Sequence, residues 1–241
     1  MSAGGVIPPR QVATHAGGDS APDPAASVHP LKLASSAMLI AAAGLLVGAL
    51  LSPWWTISYT FSSSSQTESG TILFLPGDTA RVTVNGLPSS PTYVSMGFPE
   101  TASLFATLEL SLIVVGVITG IAGVLAVFGA VARARREALY GAVWIFGIAA
   151  LIGSLLTVSI FPLAAPHALS NGFCGGTSSP ATPCGSFQGN SWSAGTHFVW
   201  GAALGWILAI GAMVLSGVAL AVWAAAVRFG VPKAAAKGVP A

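Results

Sequence analysis

Four long apolar blocks dominate the chain: 33–52, 104–131, 139–161 and 198–227. Each reaches or exceeds the roughly 20 residues that a helix needs, at 1.5 Å per residue, to cross about 30 Å of hydrocarbon. None carries an internal proline, and Pro53 and Pro162 fall just beyond the first and third blocks, where proline ends a helix without breaking it. Between the first two blocks the pattern changes to alternation. Thr56-Ile57-Ser58-Tyr59-Thr60-Phe61 and Arg81-Val82-Thr83-Val84 have the period of two expected of strands. The second run is followed by the hairpin signal Asn85-Gly86. Thr92-Tyr93-Val94 and the run from Ile72 to Leu75 predict two more short strands, and Ser62 to Ser65 a solvated turn. The predicted fold class is an all-α membrane protein. It is a four-transmembrane-helix bundle carrying a small antiparallel β-sheet formed by the first extracellular loop, residues 53–103.

Composition excludes the soluble alternatives. The chain is 54% apolar and 7% charged, against roughly 25% charged in a soluble domain, so it lacks the polar groups to cover a water-facing surface. A net charge of +2 on 241 residues gives no footprint for nucleic acid. Basic residues set the orientation. Arg10 and Lys32 precede the first span; Arg133, Arg135 and Arg136 lie in the 132–138 link; Arg228, Lys233 and Lys237 lie in the 228–241 tail. Only Arg81 falls in a long loop. Both termini and the link are therefore expected in the cytoplasm and the long loops outside, with the chain in the plasma membrane. An apolar run of about 20 residues is too long for the core of a cleaved signal peptide. The 1–31 tail and the segment after Phe229, rich in Ala, Gly and Pro, read as disordered. Trp54, Trp55, Trp192, Trp200 and Trp206 at outer span ends, and Trp144 and Trp223 at inner ends, read as an interfacial belt anchored in the lipid bilayer.

The second loop, 162–197, is rich in Gly, Ser and Pro and contains Cys174 and Cys184, the only cysteines. In an oxidising outer compartment they predict a disulfide, worth roughly 3 kcal/mol on the chain-entropy view.

Four spans, inside termini, a tryptophan-bearing start to a β-rich first loop and a smaller second loop resemble the claudin-like tetraspan arrangement. The likeness is one of layout. Claudins carry a cysteine pair in the first loop, whereas here Trp54-Trp55 is followed by none before the second loop. The Cys-Cys-Gly of tetraspanins has only Cys174-Gly175-Gly176 and Cys184-Gly185 to set against it. No functional residue is carried over from either family.

Lipid tails are as apolar as leucine, so helices in a bilayer associate through small residues. The expected packing stripes are Gly44 and Gly48 on the first span, Gly116 and Gly120 on the second with Gly123 close to the same face, and Gly201 and Gly205 on the fourth; Ala149 and Gly153 form a weaker pair on the third. Glu109 is the one ionisable residue inside an apolar block. Helical offsets put it on the glycine face, about 33 Å from Val131 and hence at the outer membrane boundary. It reads as a boundary carboxylate bonded to Thr157, Ser159 or an indole, or else as a functional group. His167 and His197 flank the cysteines, but their spacing matches no compact metal framework. No His, Lys or Asp lies within a span to activate a nucleophile, so no enzyme, metal or cofactor is expected. The sequence predicts a non-enzymatic structural or interaction protein that uses its extracellular loops or glycine faces toward a protein partner or a second copy of itself. The alternatives are a small channel or transporter subunit, or an accessory subunit of a membrane enzyme complex.

Overall fold

The computed structural model describes residues 30–63, 66–131, 136–170, 174, 179, 182–193 and 195–229. The expected tails up to residue 29 and from 230 onward, most of the basic link (132–135) and part of the predicted turn (64–65) lie outside them. Four helices are long and apolar enough to cross a membrane. They are α1 (Pro30–Leu51), α2 (Pro99–Val131), α3 (Arg136–Ser170) and α4 (Leu204–Phe229). Six strands complete the fold: β1 (Trp55–Ser62), β2 (Thr67–Phe74), β3 (Ala80–Val84), β4 (Leu87–Ser89), β5 (Gly189–Ser193) and β6 (Thr196–Ala202).

The strands form one antiparallel sheet in the order β4-β3-β2-β1-β6-β5. The alternating runs at 56–61 and 81–84 do become strands, and Asn85 and Gly86 close the β3–β4 hairpin with φ of 48° and 83°, as their residue types require. Two expectations are corrected. The sheet does not belong to the first loop alone, because β5 and β6 come from the second loop and β6 pairs along most of β1. Thr92-Tyr93-Val94 is not a strand. Thr92 makes a single bridge to Thr79, and the chain then turns so that Tyr93 can point into the core.

Three helix boundaries also move. The fourth span begins at Leu204, not Phe198; the five residues before Ala203 are extended because they pair with Trp55, Thr56, Ile57, Ser58 and Tyr59 on β1. Gly201 therefore sits on a strand and is no part of a helical stripe with Gly205. The second helix starts at Pro99, a proline in the first turn where its missing N–H is no loss. The third runs through Pro162 and Pro166 to Ser170. A proline at 162 leaves the carbonyl of Val158 without its helical donor. The indole of Trp206 on α4 fills that place, donating to Val158 O at 3.2 Å.

In the bundle α3 packs on α2, α2 on α1 and α1 on α4, while α4 meets α3 along the thinnest interface. Close approaches fall at glycines, at the expected Gly123 and Gly153 and also at Gly147, which the stripes do not include. A Cβ on Gly123 would lie 2.9 Å from Ile40 Cγ1, one on Gly153 2.7 Å from Val115, and one on Gly147 2.4 Å from Leu220. Gly48 lies against Leu208, and Gly116 makes ordinary contact with Leu46. Gly44 and Gly120 face open space, with nothing within 4 Å of an added Cβ. On α1 and α2 one glycine of each pair, Gly48 and Gly116, thus meets a neighbouring helix while the other faces outward.

Trp206→Phe keeps the ring and removes the donor, leaving Val158 O unpaired. It should cost roughly 1–2 kcal/mol, measured by thermal or denaturant unfolding in detergent. In a Pro162→Ala background, where residue 162 regains its own N–H, the same change should cost little.

Candidate functional site

Two regions gather unusual chemistry: the seam where sheet meets bundle, and the sheet's far face. The seam is aromatic. Alternation along β1 sends Trp55 and Ile57 inward, beside Phe74 on β2 and Trp200 on β6, all buried. Trp54, Tyr93, Phe105 on α2 and Phe161 on α3 join them. Their rings meet edge-on or stacked, with Trp54–Phe161 centroids 5.1 Å apart and Tyr93–Phe105 5.2 Å. Each polar tip has a backbone acceptor: Trp54 donates to Ala49 O (2.8 Å), Trp55 to Phe187 O (2.6 Å), Trp200 to Ser186 O (3.0 Å) and Tyr93 to Leu75 O (2.8 Å). Gly205 is demanded here, since a Cβ would fall 2.4 Å from Trp54 Cδ1 and 2.8 Å from Ser52 O.

The belt expected of Trp54, Trp55, Trp200 and Trp223 is therefore corrected: these four are core residues, not exposed anchors. Joining a pleated sheet to helix ends leaves irregular gaps, and large flat rings with one polar atom fill them while their N–H finds a loop carbonyl. At the opposite end Trp223 is buried against Gly129 and edge-on to Tyr140 at 5.6 Å, but its indole N–H, unlike those of the seam, has no hydrogen-bond partner among the described residues. Lys32 donates to the Tyr140 hydroxyl and lies 4.4 Å from its ring centroid. Trp144 and Trp206 are half-buried.

Glu109 is also re-placed. It is half-buried on α2, and its carboxylate turns to the loop after β2, where a Cβ on Gly77 would lie 3.3 Å from Oε2. Gly77 has φ +100°, which favours glycine, and its N–H bonds Phe105 O at 3.0 Å. The partners expected of Glu109 are engaged elsewhere or turned away: Thr157 donates to Gly153 O at 2.9 Å, and Ser159 is exposed.

Cys174 and Cys184 stand at disulfide distance with Cα atoms 6.3 Å apart. Cys184 is buried beside Leu169 at the end of α3. His167 lies in the last turn of α3, and His197 on β6 is stacked on Trp192. Among the described residues no three His, Cys, Asp or Glu gather closely enough to hold a metal ion.

The far face of the sheet is the second region. Thr60, His197 and Trp192 stand side by side on β1, β6 and β5, as do Thr71, Ser58, Val199 and Asn190 one row over. Thr56, Ser69 and Thr83 share this face, and Ser58 and Thr71 bond each other at 3.3 Å. Arg81 is its one formal charge among the described strands. Trp192 is 73% exposed, the only exposed aromatic of the sheet layer among the described residues. One face of its indole rests on His197, with centroids 4.5 Å apart and planes 16° from parallel. The sequence grouped Trp192 with the membrane belt; pairing with His197 puts it on the sheet instead. No protein-family model matches the chain, and neither does any curated protein.

Two tyrosines titrate high. Burial, with the Asp78 charge adding to it, pushes Tyr93 well above its ordinary 10.0. Tyr59 is raised by burial and then by its hydrogen bond to Glu68 (3.2 Å) and that carboxylate's charge. A phenol whose folded pKa is raised stabilises the fold below its ordinary pKa, and that contribution is lost as pH rises through the folded value. Unfolding temperature should therefore fall steeply above about pH 10. Tyr93→Phe, though less stable at neutral pH for want of the Leu75 bond, should show a flatter fall. Calorimetry across the alkaline range checks both.

Proposed function

We propose that this chain is a non-enzymatic, four-span protein of the plasma membrane whose outer cap recognises a partner protein or a component of the cell envelope. The bilayer reading is supported by the side chains that the bundle turns outward. Ile113, Val117, Ile121 and Val124 on α2, Ile145, Ile152 and Leu156 on α3, and Ile207, Val214 and Val218 on α4 are exposed, an apolar girdle far larger than a soluble monomer tolerates. Orientation is supported by charge: Lys32 and Arg228 lie on the helix ends remote from the sheet, so the basic end faces the cytosol and both termini follow it there. The α2 helix, 33 residues and about 50 Å long, exceeds the hydrocarbon and carries the sheet clear of the lipid.

The observation that carries the recognition reading is the contrast between the sheet's two faces. One is closed against the bundle by aromatic rings near the seam and, farther out, leaves an open pocket lined by Tyr59, Phe61, Thr196 and Phe198. The other carries one formal charge, several hydroxyls, the Asn190 amide and the aliphatic Leu73 and Val199 around a protruding indole. A tryptophan 73% exposed and braced on one face by His197 loses little entropy on contact and offers a large area, the features of a binding hot spot. The disulfide proposed between Cys174 and Cys184 would restrain the loop leading into β5 and so hold Trp192 in place.

Topology is tested with single cysteines in intact cells: Thr60→Cys should react with a membrane-impermeant maleimide and Arg228→Cys should not. The reverse pattern removes the orientation. Recognition is tested by photo-crosslinking in cells from a photoreactive residue at position 192, with position 113 on α2 as a lipid-facing control. A discrete adduct from 192 alone is expected; no adduct from 192 overturns the reading.

A further inference from the structure

The helices do not close evenly around the bundle. Gly147 lets Leu220 press against α3, and beside the Tyr140–Trp223 contact toward the basic end an outward groove opens between the two helices. The groove there has a volume of about 590 Å3 and is lined by Trp144, Ala221, Ala224, Ala225, Val227 and Arg228. Residues 221, 224, 225 and 228 fall on one stripe of α4, so three alanine methyls form a shallow apolar floor that ends at a guanidinium.

Two hydrogen-bond donors converge on this groove. Arg228 stands in the last turn of α4. Trp144 is half-buried beside it, and its indole differs from those of Trp54, Trp55, Trp200 and Trp206. Those four donate to backbone carbonyls, whereas Trp144 has no protein acceptor among the described residues. The other outward grooves lack this chemistry. The one between α2 and α3 is lined by Leu104, Thr107, Ser111, Ile160 and their neighbours, and the one between α1 and α2 by Gly44, Val47, Gly116 and theirs; neither includes a charged side chain.

We infer that the α3–α4 groove seats one anionic phospholipid of the cytoplasmic leaflet. Its phosphate accepts from Arg228, an ester or phosphate oxygen accepts from the Trp144 N–H, and the first part of an acyl chain lies along Ala221, Ala224 and Ala225. Charge complementarity selects the occupant. A zwitterionic lipid brings its own cation to the mouth, and a second copy of the chain would bring another Arg228 against the first. The inference rests on the membrane reading above.

The full-length protein, purified in detergent, is mixed with equimolar dioleoyl-phosphatidylglycerol and dioleoyl-phosphatidylcholine and examined by native mass spectrometry. One phosphatidylglycerol should be retained in about fivefold preference, the effect of one basic residue at a membrane surface. Arg228→Gln should reduce the preference to near unity. Ala224→Leu, which fills the floor, should lower retention of both lipids, while Gly44→Leu in the uncharged α1–α2 groove should change nothing. Thermal unfolding close to wild type certifies that each variant is folded, and Ala225→Leu replaces Ala224→Leu if it is not. Equal retention of the two lipids by the wild type, or a preference that survives both groove substitutions, overturns the lipid seat. Displacement of the lipid by millimolar inorganic phosphate assigns the site to free phosphate and also overturns it. Alkaline carbonate extraction of cell membranes separates the underlying reading: release of the chain into the supernatant defeats the membrane assignment itself, whereas a chain that stays in the pellet but shows no lipid preference defeats only the seat.

Discussion

The fold depends on one continuity: the antiparallel pair α1–α4 passes without a break into the antiparallel pair β1–β6. Only Ser52 to Trp54 separate α1 from β1, and only Ala203 separates β6 from α4. The seam is stitched by Ala203 N–H to Trp54 O (3.0 Å) and Gly205 N–H to Pro53 O (2.7 Å), with Trp54 N–H bonding Phe74 O on β2 (2.8 Å). Two helices that touch through Gly48 and Leu208 thereby fix where two strands begin to pair. A slip of one residue between β1 and β6 would turn Trp200 and Phe198 to the far face and His197 and Val199 into the core. The helices forbid it, because the connections are too short to absorb a shift.

Once that register is set, the aromatic seam follows. Trp55 and Ile57 are inward because Thr56 and Ser58 are outward, and the same parity places Trp200 over Gly189 and Tyr59 over Gly70. Those two glycines give the rings room. A Cβ at Gly189 would meet Trp200 at 2.7 Å, and one at Gly70 would meet the Tyr59 ring at 2.3 Å. The seam makes sheet and bundle one body, so the far face is presented at a fixed angle to the helices. Preorganisation of that kind lets a modest polar surface bind without an ordering cost.

Local patterns were legible where the physics is local. The four apolar blocks, the alternation in β1 and β3 and the Asn85-Gly86 turn all depend on neighbours within a few residues. The failures share a different cause. The run from Phe198 to Ala202 is as apolar as the helix that follows, and only pairing with β1 makes it a strand. Pro162 carries a stop signal that the Trp206 indole, 44 residues later in the chain, offsets by bonding Val158. Trp54 and Trp55 have the sequence position of membrane anchors, but nothing nearby announces that Phe74, Tyr93 and Phe105 will enclose them. Glycine stripes show where a helix can approach, and the crossing geometry decides which members of the stripe touch.

The bundle interior also limits where chemistry can occur. Along the helix axes the buried polar groups are hydroxyls: Ser35, which donates to Ala219 O on α4 at 2.7 Å, Thr119, which bonds back to Val115 O, and Ser154 and Ser216. One hydroxyl bridging two helices in an apolar medium adds stability and some orientation. The charged and aromatic residues lie at the two ends instead. Lys32, Tyr140, Trp144, Trp223 and Arg228 gather at one, and Glu109, the tryptophan seam and the Trp192 face at the other. Among the described residues the charged and aromatic chemistry thus sits at the two tips of an apolar shaft.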